Sequence, residues 1–99
     1  MENLNLKEMK SSKVFRIIAA VMEVMEKSGF KPDLNTTLEE SKTNEGHWKM
    51  TFQKHSTNYD ELCTIKNEMG ENFNITVEPK DKNSICVILE APKENFCEL

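Results

Sequence analysis

The sequence is poor in the residues that most often betray a function. Arg16 is its only arginine. That excludes a clamp of several guanidinium groups on phosphate or carboxylate. Glycine occurs only as Gly29, Gly46 and Gly70, too far apart to build a loop that cradles phosphate. The cysteines, Cys63, Cys86 and Cys97, are odd in number and irregularly spaced, with no Cys-x-x-Cys pair. This pattern argues against a secreted disulfide framework and predicts thiols in a reducing, cytoplasmic compartment. No run approaches the ~20 apolar residues that cross a bilayer. Residues 1–12 are polar, and the apolar stretch after them carries Arg16, Glu23 and Glu26. That order does not resemble a secretory signal, so no membrane association is expected. The formal net charge of −4 argues against nucleic acid as a partner, because such binding draws its affinity from Lys and Arg on phosphates.

What is present is mainly Lys, Asn and acid, the usage of an AT-rich genome. Ninety-nine residues, 37% of them hydrophobic, suffice for one domain with one core. The expected organisation is a lead-in over 1–11, a single domain over 12–91 and a tail over 92–99.

The strongest periodic signal covers residues 12–28. At 100° per residue, Val14, Phe15, Ile17, Ile18, Val21, Met22, Val24 and Met25 fall on one arc about 180° wide. Ser11 or Ser12 is placed to cap the start, Gly29 to end it, and Pro32 to forbid continuation. Residues 35–42 predict an edge strand protected by charge, and 43–46 a turn. Residues 47–53 alternate, with Trp48, Met50 and Phe52 on one side and His47, Lys49, Thr51 and Gln53 on the other. A second helix is predicted over 58–69, capped by Thr57 or Asn58 and stopped by Gly70. A strand over 73–78, a turn over 79–83 and a strand over 84–90 complete the pattern. The last strand is apolar on both faces.

The order α-β-β-α-β-β predicts an α+β, two-layer sandwich: a four-stranded antiparallel sheet with two helices on one face. The second apolar face of the last strand, Cys86 and Ile88, then needs a cover. Phe96 in the tail or a second copy of the chain would supply it, which marks Ile88, Cys86 and Phe96 as a dimer or partner surface.

Candidate chemistry is sparse. His47, His55 and Cys63 do not share one face of one element and complete no tetrahedral set, so no metal is expected. Cysteines on apolar faces behave as small hydrophobes, and no catalytic role is expected for them. No cofactor motif is present. Lys66 interrupts the apolar arc of the second helix; it either snorkels to the rim or offers a cation to an acidic partner or ligand. His47, Lys49, Thr51 and Gln53 line the polar sheet face, the other candidate binding surface. The expected function is a small acidic, non-enzymatic protein-interaction module (an adaptor, small chaperone or inhibitor of a partner protein), and the expected working unit is a homodimer. The alternative is a binder of a small or nucleotide-like ligand in a pocket at a dimer interface.

Overall fold

A computed structural model describes residues 9–32, 36–55 and 58–98. The elements are α1 (Ser11–Lys27), β1 (Thr36–Glu40), β2 (His47–His55), α2 (Tyr59–Met69), β3 (Asn74–Asp81), β4 (Ser84–Pro92) and α3 (Lys93–Cys97). The strands form one antiparallel sheet in the order β1-β2-β4-β3. Each hairpin therefore sends its second strand to the centre and leaves its first at an edge. The predicted α+β order is present, with a third helix added at the end.

Local chemistry fixes the helix ends. α1 starts at Lys10, whose extended backbone (φ −65°, ψ 144°) turns its carbonyl toward the N–H groups of Lys13 and Val14. Neither serine caps it, because both already lie inside the first turn. At the other end, Gly29 takes φ 89° and donates to the Glu26 carbonyl, while Phe30 N–H donates to the Met25 carbonyl. These two hydrogen bonds form the Schellman closure, which a left-handed glycine adopts without Cβ strain. It also turns Phe30 inward, where it is fully buried with Met25. α2 is capped by Asn58, whose Oδ1 accepts from Glu61 N–H at 2.9 Å. The other proposed cap, Thr57, lies outside the described residues.

The core forms on one side of the sheet. Trp48, Met50 and Phe52 of β2 and Val87, Leu89 and Ala91 of β4 are buried. The register pairs Met50 with Leu89 and Phe52 with Val87, so these side chains share a face. Ile17, Val21 and Met25 of α1, Ile65 and Met69 of α2, and Phe96 of α3 join the same cluster. All three helices therefore cover one face. Enclosing a side chain of this size stabilises by about 1.5–3 kcal/mol relative to leaving it in water.

The differences from the sequence expectation that bear on the site are these. β2 continues to His55, which places that histidine in a strand instead of a loop. β3 runs through Pro79 to Asp81, with a register shift at that point. β3 is an edge strand, so the missing N–H of Pro79 need not remove a ladder bond. The stretch read as a tail folds as α3, because Phe96 finds an aromatic pocket. Its ring lies 4.8 Å from Phe73, edge to face, and 6.0 Å from Trp48. Phe96 is 1% exposed. It belongs to the helix-side core and does not cover Ile88 and Cys86 on the opposite face.

Candidate functional site

The face opposite the helices gathers most of the residues selected from the sequence. Strand alternation puts His47, Lys49, Thr51 and Gln53 of β2 there, because Trp48, Met50 and Phe52 point into the core. Cross-strand register then adds their neighbours. Thr51 stands between Thr37 and Ile88, and Ile88 is opposite Thr76. Gln53 is opposite Cys86, which is opposite Glu78. Lys49 stands between Glu39 and Glu90. Directly opposed side chains on one face are about 5 Å apart and interact. The face is thus a half-buried apolar centre, Ile88 with Cys86, bordered by threonines and by an acid–base–acid row.

Glu90 is held in place. Ser41 Oγ donates to its Oε1 at 2.9 Å and Asn44 Nδ2 to its Oε2 at 2.6 Å. Both donors come from the β1–β2 connection, so this carboxylate ties the hairpin loop to the central strand. Beside it, at the His47 end of the sheet, lies a cleft of about 470 Å³. Its wall includes the amides Asn44, Asn72, Asn74 and Asn95, together with His47 and Glu90. Asn95 Nδ2 donates to the Asn72 carbonyl at 2.7 Å, joining α3 to the segment before β3. Sequence reasoning missed this amide cluster, whose members come from three separate parts of the chain. The single usable signal was Glu90, the lone charge in an otherwise apolar strand.

A second concavity, about 500 Å³, lies at the far end of the sheet between Lys54 and the β3–β4 turn. Asp81 sits there; the Asn83 N–H at 2.9 Å from its Oδ1 holds the carboxyl below its ordinary value. The register also puts His55 and Asp81 opposite Ser84, which assembles the residue types of a hydrolytic triad. Ser84 is 4% exposed, however, so a substrate has no path to its hydroxyl. Lys54 lies 5.7 Å over the Phe30 ring and 3.9 Å from the Glu61 carboxylate.

The remaining candidates lie on the helix side. Lys66 is exposed on α2, and its carbonyl accepts from Gly70 N–H. Tyr59, at the start of the same helix, is 78% exposed; the buried stripe of α2 is Ile65 and Met69, and Lys66 lies off it. Cys63 and Cys86 are half-buried, Cys97 is exposed, and no disulfide joins any pair. Among the described residues no cluster of His, Cys, Asp and Glu has metal-binding geometry. Among them, too, no helix is long and apolar enough to cross a membrane. No protein-family model matches this chain, and no curated protein or solved structure matches it.

Proposed function

We propose that this chain is a small, non-enzymatic protein-interaction module of the cytoplasm, acting as an adaptor, small chaperone or inhibitor, and that it holds its partner on the open sheet face. One observation carries this: Ile88 and Cys86 form an apolar centre inside a border of Thr51, Thr76, Lys49 and Glu90. An uncharged centre with a polar rim is the anatomy of a protein interface. The rigid sheet presents it without ordering cost, which favours affinity. The test compares the tagged chain with Ile88→Lys in capture from the native cell, with circular dichroism as the folding control. A partner retained by the first and weakened about 30-fold or more in the second is the expected result for a central contact of about 2 kcal/mol. Equal retention by both, or by neither, overturns the proposal.

A second reading, a small-ligand binder, is favoured by the amide-lined cleft beside His47. A thermal-shift screen separates the two, since a ligand at 100 times its Kd stabilises by about 2.7 kcal/mol.

A further inference from the structure

We infer that the amide-lined cleft at the His47 end of the sheet binds a neutral polyhydroxylated ligand, a sugar or sugar-like polyol. This rests on the small-ligand reading above and gives that ligand a chemical class; the partner face around Ile88 and Cys86 plays no part in it. The cleft's volume, about 470 Å³, falls in the range of small-molecule sites. Its walls do not suit the apolar occupant usual in such sites. Four of its side chains are asparagines, Asn44, Asn72, Asn74 and Asn95, and two are carboxylates, Glu71 and Glu90.

Charge narrows the class. Among the described residues, no lysine or arginine lines the cleft. A phosphate or carboxylate ligand would meet Glu71 and Glu90 with no cation to offset them, and is disfavoured.

Hydrogen bonding narrows it further. Two of the amides are committed at one end: Asn44 Nδ2 donates to Glu90 Oε2 at 2.6 Å, and Asn95 Nδ2 to the Asn72 carbonyl at 2.7 Å. Each keeps an Oδ1 that accepts. His47 Nδ1 lies 3.3 Å from the Glu45 carbonyl. A carbonyl only accepts, so the proton sits on Nδ1 and leaves Nε2 as an acceptor. Asn72 and Asn74 are exposed, and their side-chain amides bond to none of the described residues. Each therefore offers a donor and an acceptor. A metal ion or an ammonium group would use the acceptors and leave those amide N–H groups unanswered. A hydroxyl donates and accepts at one atom, so several hydroxyls on one ring answer both kinds. Those that donate to a carboxylate form the shorter, stronger, charge-assisted bonds. Pro92, exposed in the wall, adds apolar surface for ring C–H groups.

The site is largely set before a ligand arrives. Ser41 and Asn44 hold Glu90 on the central strand β4, and the bond to Asn72 holds Asn95. Little side-chain freedom is left to lose at these two positions, which favours affinity. The cleft is open, however, and its hydrogen bonds compete with water, so a Kd of about 1 mM is expected.

The test is nitrogen–proton correlation NMR of the full chain, titrated with the methyl glycosides of glucose, mannose and galactose and with N-acetylglucosamine, each to tens of millimolar. Parallel titrations use sodium phosphate, calcium chloride and methylammonium chloride. Saturable shifts at the signals of Asn44, His47, Asn72, Asn74, Glu90 and Asn95 with at least one sugar are the expected result. Asn74→Ala should weaken that sugar about tenfold, the loss of roughly two hydrogen bonds. Asn83→Ala, at the far end of the sheet, should leave it unchanged. A sugar whose affinity Asn74→Ala leaves intact overturns the inference. Saturation of the same signals by phosphate, calcium or methylammonium, and by no sugar, overturns the polyol class while the small-ligand reading stands. Silence with every probe overturns the inference and, joined to a flat thermal-shift screen, that reading with it.

Discussion

Phe96→Ala tests whether α3 is part of the cooperative core. The ring is 1% exposed and touches both Phe73 and Trp48. α3 is only five residues long, too short to be stable by itself. Removing a buried phenyl ring costs about 3–5 kcal/mol, including the cavity and the lost ring contacts. Taking about 4 kcal/mol against a total of roughly 5–15 for a domain of this size, the variant loses a large share of its stability. The melting temperature should fall by about 20 °C, and the urea midpoint by about 2 M at an ordinary m-value. Both are read by circular dichroism at low micromolar concentration. The comparator is Phe15→Ala, the same chemical change at a side chain 73% exposed, expected to stay within about 0.5 kcal/mol. A shift below about 1 kcal/mol for Phe96→Ala with an unchanged m-value would refute the placement of α3 in the core.

Asn58→Ala removes the Oδ1 that accepts from Glu61 N–H; a loss of about 1 kcal/mol is expected in the same urea titration, and Asn58→Asp should retain most of it. Asp81 titrates below its ordinary 3.8 because the Asn83 N–H favours its charged form. Its contribution is thus fully present above pH 3.8 and is lost as the pH falls through the lower native value, since the unfolded chain takes up the proton first. Stability measured against pH should therefore fall less steeply below about pH 4 in Asp81→Asn than in the parent chain; identical slopes would remove Asp81 from the acid response.

The parts of the fold legible in the sequence are those whose apolar period is sustained over several residues. Ile17, Val21 and Met25 recur every four residues, and Trp48, Met50 and Phe52 every two; each set is buried as its spacing requires. Alternation in β2 likewise puts His47, Lys49, Thr51 and Gln53 on one face. α3 was not legible, because five residues hold too few turns for a period and Phe96 is recognisable only by what it touches. Pro79 reads as a turn locally, and only the edge position of β3 reverses that. The amide cleft was hidden for a different reason: Asn44 and Asn72 lie in connections, Asn74 starts β3 and Asn95 lies in α3, and no local pattern encodes a meeting of segments so far apart. Lys66 shows the coarseness of a helical wheel: it interrupts the apolar arc on the wheel, while the buried stripe of α2 is Ile65 and Met69 and Lys66 is exposed beside it.

The central pairing of β2 with β4 also has a kinetic side. Its nearest partners, His55 and Ser84, are separated by the whole of α2 and β3. The ladder that encloses Trp48, Met50 and Phe52 therefore forms only after a long loop has closed, which slows folding. During synthesis these three side chains leave the ribosome well before Val87, Leu89 and Ala91 exist to cover them. The first α-β-β half must wait in a sticky, unfinished state, and that interval, more than any weakness of the finished domain, is when this chain is most exposed to aggregation.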